Sequence, residues 1–251
     1  LNDFRERYDT FDDEHIPKFL YGSHYSTAGI VLHYLIRQEP FTNLNINLQG
    51  GRFDVPDRIF FNMGYTWDGC KHSMSDVKEL VPELYSCPEV LMNTNKYVMG
   101  VLQDGTTQVN DVVLPPWAGD SPFEFIRLHR EALESNFVSV NLHRWVDLIF
   151  GFQQTGEEAE KANNVFYYLT YEDAIDLDAI EDEVILEATK TQIMYFGQTP
   201  SLLFHKPHVP RLSPTNGIVT PLCLNTKSLT NLQVFTPSTQ QGVLGAHGRV
   251  V

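Results

Sequence analysis

Between Leu114 and Gln154 apolar positions recur at three- and four-residue steps, and the residues around them are those that start and stop helices. Leu114-Pro115-Pro116-Trp117-Ala118 is a stiff lead-in, because two prolines fix φ and hold the residue before them extended. Ser121-Pro122-Phe123-Glu124 joins an N-cap serine to a proline at the first helical position and a glutamate at capping-box spacing. The helix it opens carries Phe125, Leu128, Ala132 and Leu133 on one side and Glu124, Arg127, Arg130, Glu131 and Glu134 on the other. Ser135, Asn136 or Ser139 caps a second helix marked by Leu142, Trp145, Val146, Ile149 and Phe150. Gly151 is placed to end it in a left-handed conformation. The pattern predicts a helical hairpin that organises the fold, with Trp145 buried in its core.

The rest of the chain is less regular. Phe4 to Tyr25 is rich in aromatic residues and interrupted by proline, which predicts extended chain anchored by rings. Ser26 to Gln38 is apolar nearly all round, a buried helix ended before Pro40. Gly50-Gly51 breaks the chain, and Asp54 is predicted to cap a helix through Ile59, Phe60, Met63 and Trp67. Asp76 to Glu83 is too short and proline-bounded for a long helix. Between Tyr97 and Val113 the alternation of Val98, Gly100, Leu102, Val109 and Val112 around Asp104-Gly105 predicts a small hairpin whose turn needs positive φ at Gly105. Glu157 to Asn163 suits a short acidic helix, and Val165 to Tyr171 a buried extended run. Asp182 caps a last helix carrying Val184, Ile185, Ala188, Ile193 and Met194, closed by Gly197 and Pro200. Beyond Phe204 the composition turns to Pro, Ser, Thr, Asn and Gly without periodicity, a linker with room for one strand between Leu222 and Phe235. The fold class is therefore mainly α, with irregular extended segments and one small β-hairpin.

Composition narrows the function more than the fold. With 42% hydrophobic residues in 251, the chain can bury a large core. All 32 acids fall within residues 1–204 against 14 bases, a net −18 in that part and −14 overall. Such a surface repels phosphate backbones and anionic lipid heads, so nucleic acid is not the expected partner. Cys70, Cys87 and Cys223 are odd in number and lack zinc-ligand spacing, which fits a reducing, cytoplasmic setting. No apolar run approaches the length of a membrane span, and the start at Leu1 is neither a signal peptide nor an initiator methionine, so the chain reads as part of a longer protein.

No residue pattern earns a catalytic, cofactor-binding or metal-binding assignment. The nucleophile-elbow, dinucleotide and phosphate-loop motifs are missing from the sequence, and Gly50-Gly51 lacks the lysine that phosphate chemistry needs. Ser23-His24 are neighbours in sequence, which rarely gives a shared catalytic geometry; local hydrogen bonding is the simpler role. His205 with His208, and His129 with His143, are pairs without further ligands. Asp176 to Asp182 has isoleucine and glutamate where a calcium loop needs a ligand and a glycine. Eleven acids against one lysine between Glu157 and Glu187 form either a solvated face or a docking surface for a basic partner. The enzyme reading that competes is an acid-base hydrolase using paired carboxylates, Asp54 with Asp57 or Glu83; on one helix face such a pair is more simply a cap and a dipole partner.

Several separated segments also resemble one family. Tyr21-Gly22-Ser23-His24-Tyr25-Ser26, Leu48 to Asp54, Asp76 to Glu83, Leu114 to Ala118, Phe125 to Ser135, Trp145 to Gly151, Asn164-Val165-Phe166 and Phe196 to Pro200 are similar, in order and spacing, to the BEACH domain of large vesicle-trafficking scaffold proteins. The resemblance implies a BEACH-type fold over residues 1–204, incomplete at its N-terminus, and a linker over 205–251 toward a following β-propeller of tryptophan-aspartate (WD) repeats. It further implies a non-catalytic protein-interaction module for secretory, lysosomal or autophagic membrane traffic. The implied partners are a pleckstrin-homology-like domain and the propeller of the same protein, together with trafficking proteins. Membrane association is then indirect, the setting cytoplasmic, and no cofactor is expected. With an N-terminal portion absent, the apolar residues near Ile30 to Ile36 and Ile59 to Phe61 are expected to lie uncovered.

Overall fold

The computed structural model describes residues 2–172 and 174–211. Eight α-helices lie among them: α1 (Asn2–Thr10), α2 (Ala28–Tyr34), α3 (Phe41–Leu48), α4 (Met63–His72), α5 (Pro122–Leu133), α6 (Asn136–Ile149), α7 (Gly156–Lys161) and α8 (Glu183–Phe196). Short 3-10 turns open at Pro56, Pro82, Pro88 and Pro116, where a residue with fixed φ and no N–H fits a first helical position. Strand pairing among the described residues is confined to single bridges, Tyr21 with Phe166, Asn62 with Val113 and Val101 with Gln108. No helix of the described residues is long and apolar enough to cross a membrane.

The main core is built from short elements. Ile30, Tyr34 and Leu35 meet Phe60, Leu84, Leu91, Val112 and Leu114, and Phe125 and Ile126 of α5 enter the same cluster. Ile36, Ile59, Met99 and Val109 form a second cluster, and Phe4, Tyr8 and Leu20 a third. Apolar residues around Ile30 to Ile36 and Ile59 to Phe60 are thus covered by the chain itself, contrary to the exposure expected of them; only Val31 among them faces out.

A core of turns leaves many backbone groups outside helix or sheet ladders, and each needs a partner. Arg37, fully buried, supplies several. Its Nε and one terminal nitrogen donate to the carbonyl of Asn110 at 2.9 and 2.7 Å, and the other terminal nitrogen to the carbonyl of Phe60 at 2.6 Å. Asn93 continues the network: its side chain donates to Tyr97 O and Asn110 Oδ1 and accepts from Tyr97 N, while its backbone N–H donates to Asp111 Oδ1 at 2.6 Å. Asn95 donates to the Arg37 carbonyl at 3.1 Å. Burial pushes the Arg37 guanidinium down to about 10, a fall that the nearby Asp111 carboxylate partly offsets, so it remains charged at neutral pH.

The starts of α5, α6 and α8 follow the sequence, whereas α1 forms where Phe4 to Tyr25 reads as extended chain. Ser121 accepts from Glu124 N and Pro122 opens α5, but the Glu124 carboxylate pairs with Arg127 at 2.7 Å instead of completing the capping box. Ser135 caps α6 and Asp182 caps α8, accepting from Val184 N and Ile185 N. The Asp104-Gly105 turn forms with Gly105 at φ 74°, and the hairpin behind it is limited to the Val101–Gln108 bridge.

Other expectations are corrected. Asp54 caps no α-helix: its carboxylate accepts from Val55 N and Arg58, Ile59 and Phe60 lie in non-helical chain, and α4 is capped by Asn62. Helix α2 is shorter than Ser26 to Gln38 and α3 was not anticipated, because Phe41 to Leu48 carries three asparagines and a threonine that weaken the periodic signal. Val165 to Tyr171 is extended only at its start, since Tyr168 to Thr170 coils into a 3-10 turn. Gly151 is not left-handed; a Cβ there would come within 2.6 Å of the Asp147 backbone, so close approach requires the glycine. The largest correction concerns Trp145, which is 45% exposed, on a helix whose one buried side chain is Asp147. The expected hairpin does not form as a packed pair: α5 lies against the turns at Pro82, Pro88 and Pro116, and α6 lies at the surface.

These placements order three substitutions by cost in urea denaturation. Phe125→Ala is expected to lose about 3–5 kcal/mol, as for other emptied aromatic sites. Arg37→Met leaves two buried carbonyls without donors and is expected to cost roughly 3 kcal/mol. Trp145→Ala should cost about 1 kcal/mol, as at a half-exposed site. An Arg37→Met midpoint equal to the parent's would show that water reaches those carbonyls.

Candidate interaction cleft

Four of the family-like segments meet in one seam. Tyr21 N donates to Val165 O at 3.1 Å and Tyr167 N to Tyr21 O at 2.8 Å, which lays the first segment beside Asn164-Val165-Phe166. His24 N donates to Phe196 O at 2.7 Å, at the end of α8. Ser26 Oγ accepts from Gln198 N at 2.9 Å and donates to Gln198 O at 3.0 Å. Gly197, at φ 80°, is held so close that a Cβ would fall 2.9 Å from His24 O and Thr27 N. Asn164 ties in the end of α6 through the carbonyls of Leu148 and Gln153, and Gln154 donates to Ile149 O and Pro200 O at 2.6 Å.

A cleft of about 550 Å³ opens on this seam, between Ser23 to Ile30, Ser75 to Lys78, and Tyr195 and Phe196 at the end of α8. His33, Asp76 and Lys78 also border a narrower cavity of about 280 Å³ that reaches Asp57, Arg58 and Thr66. Lys78 pairs with Asp76 between the two. Burial holds His24 down at about 4 and His33 at about 3, the latter helped by Lys78 and Arg37, so both imidazoles are neutral. Burial also lowers Lys78 and raises Glu79. His33 Nε2 is buried without a hydrogen-bond partner among the described residues. On the far side of the core Tyr85, His129, Phe125 and Trp117 stack, with Trp117 half exposed.

The chemistry weighed from sequence resolves into local roles. His24 pairs with Ser26, not Ser23: Nδ1 lies 2.8 Å from Ser26 Oγ, whose remaining capacity is taken by Gln198. His129 Nδ1 bonds the Leu84 carbonyl at 3.0 Å, while His143 Nδ1 is buried without a partner among the described residues, so the two do not form a pair. His208 reaches back to the buried Asp147, 3.0 Å between Nδ1 and Oδ1, which fastens the start of the segment read as linker; His205 is exposed. No group of three or more His, Cys, Asp or Glu among the described residues is arranged to hold a metal. Asp54 is spent on Val55 N and Arg58, and Asp57 accepts from Gln103 N at 3.1 Å, so the proposed carboxylate pair serves the turn at Pro56. Gly50 and Gly51 take φ 76° and 93° after α3, a conformational role. Residues that sequence reasoning passed over are the polar staples: Arg37, Asn93, Asn164 and Gln154. A charge directly after the apolar run Ile30 to Ile36 was the one visible signal.

The neutral histidines make stability pH-dependent. Both native values lie below the unfolded value of about 6.5, so their contribution is complete above it and is lost as pH falls toward 4. Each should give a slope near 1.4 kcal/mol per pH unit across that window, opposed lower down by Glu79, whose native value is raised. Chemical denaturation between about pH 7 and 4 should show this fall, and His24→Gln should flatten it; a His24→Gln profile parallel to the parent's would contradict a buried neutral imidazole.

The family model for the Beige/BEACH domain matches residues 1–211. The chain is 50% identical over 236 residues to BEACH domain-containing protein B of Arabidopsis thaliana, covering 94% of this chain and 9% of that protein. It is 54% identical over 211 residues to BEACH domain-containing protein A2 and to Protein SPIRRIG of the same plant, covering 83% of this chain and 6% of each. The chain thus spans less than a tenth of the length of the curated relatives it matches. The seam of Tyr21 to Ser26, Asn164 to Phe166 and Phe196 to Pro200 is therefore built on the segments that carried the resemblance, and the chain belongs to the BEACH domain family.

Proposed function

We propose that residues 1–204 act as a non-catalytic protein-interaction module of a large scaffold protein in membrane and vesicle traffic, on secretory, lysosomal or autophagic routes. Its place is cytoplasmic and peripheral to membranes. A pleckstrin-homology-like domain and a WD-repeat β-propeller of the same protein are its partners in cis, residues 205–251 lead toward the propeller, and trafficking proteins bind in trans. The observation that carries this reading is the exposure of large apolar side chains on α6: Phe137, 77% exposed, and Val140, Leu142 and Trp145. Large apolar side chains grouped on one helix mark surfaces that other proteins cover. The paired Lys78 and Asp76 of the cleft support it, being committed to each other.

The test is proximity labelling of the full-length parent protein with Phe137→Asp and Trp145→Asp introduced together. These positions are exposed, so the fold should survive, and the labelled set should lose its trafficking proteins. An unchanged set would count against the module. So would turnover on a glycan or ester panel that Asp54→Asn abolishes, which would favour the hydrolase.

A further inference from the structure

We propose that the outward face of α8 docks a basic amphipathic helix of a partner protein. The inference rests on the module reading and gives one of its surfaces a partner chemistry. The inner side of α8 is Leu186, Thr189, Ile193 and Phe196, all buried or half-buried. Its outer side carries Val184, Ala188, Thr191 and Tyr195 at steps of four, three and four, which places them in one stripe, with Ile185 and Met194 beside it. All six are exposed; Val184 is 79% and Met194 66% accessible. Fourteen residues give a face about 20 Å long, enough for a partner helix to set three or four anchors.

Charge selects the partner. From Glu172 to Thr189 the sequence contains acids and no base, and Asp176, Asp178, Glu181, Asp182, Glu183 and Glu187 are exposed at the N-terminal end of the stripe. Some of this charge has a local purpose. Asp176 and Asp182 accept backbone N–H groups, Glu187 pairs with Lys190 at 2.9 Å, and Glu183 complements the helix dipole. Asp178 and Glu181 make no ion pair among the described residues, and no acid follows Glu187 in the chain. The face is thus acidic at one end and neutral and apolar at the other. An anionic membrane or nucleic acid is repelled, and the α8 of a second copy offers as its one base Lys190, already paired with Glu187. A helix with lysines or arginines at one end and aliphatic anchors at three- and four-residue spacing satisfies both halves.

The test uses the whole 251-residue chain and a labelled peptide of roughly 18 residues, long enough to hold a helix, with leucines at helical spacing and lysines toward one end. A peptide with glutamates in place of the lysines is the control. Fluorescence anisotropy should show binding of the basic peptide alone, weakened about tenfold by Val184→Ser with Met194→Ser. Binding should also weaken as salt rises from about 50 to about 300 mM, and Asp178→Asn with Glu181→Gln and Glu183→Gln should flatten that dependence. The inference is overturned if the basic peptide does not bind below about 100 µM, a free energy of roughly 5.5 kcal/mol. It is equally overturned if the serine variants bind as the parent does, if the acidic peptide binds as well, or if sedimentation shows that the serine variants abolish self-association of the parent. Loss here with the α6 variants still stripping partners from the full-length protein would remove this surface and leave the module reading standing.

Discussion

The described fold depends on one buried cation bonded to backbone. Among the described residues no carboxylate touches Arg37; its guanidinium is satisfied by the carbonyls of Phe60 and Asn110, residues 23 and 73 positions along the chain. A guanidinium is suited to this because its donors fan out in a fixed plane and can serve two segments at once. Loops with few internal ladders would otherwise bring unpaired carbonyls into the core at a cost of about 1–3 kcal/mol each. The Asn93, Asn95 and Asp111 bonds extend the same solution outward.

That economy has a consequence for the surface. Because the core is closed by turns around α2 and the first half of α5, the longer amphipathic helices are not all needed to cover it. Helix α6 buries Asp147, which receives His208, and leaves Phe137 and Trp145 outside. Helix α8 is held at its C-terminal end by Gly197 pressed against His24 and Thr27, and along one side by Thr189 and its neighbours, with its other side open. The fold keeps large apolar side chains of both helices accessible. This division between a polar-stapled core and outward apolar faces suits a surface that binds proteins.

Legibility from sequence followed the range of the forces involved. Helix caps are decided within four residues, so Ser121 and Asp182 were read correctly and Ser135 was among the three candidates for α6, because cap and first turn are adjacent in the chain. Gly105 was legible for the same reason. What periodicity withholds is the direction in which an amphipathic helix faces. Trp145 lies on an apolar stripe, and the stripe predicts that something covers it without saying that this chain does. Likewise Asp54 has the chemistry of a cap, yet Pro56 and the pull of Ile59 and Phe60 into two different core clusters break the helix it would have started.

The seam shows the limit from the other side. Nothing within Tyr21 to Ser26 marks it as the partner of residues 172 positions away, and the resemblance to a family supplied order and spacing without contacts. Its logic emerges only when the segments are assembled. Ser26 Oγ and the Gln198 backbone exchange two hydrogen bonds, a pairing that fixes register as a pair of facing strand residues would, while Gly197 removes the side chain that would hold the two segments apart. Of the adjacent Ser23-His24 that looked like candidate chemistry in the linear sequence, His24 is thereby explained as joinery, bonded to Ser26 and Phe196. The same reasoning separates it from the exposed apolar side chains of α6 and α8: side chains whose hydrogen-bonding capacity or apolar surface is used up inside the chain hold it together, and those that stay unused are the ones the proposed partners would engage.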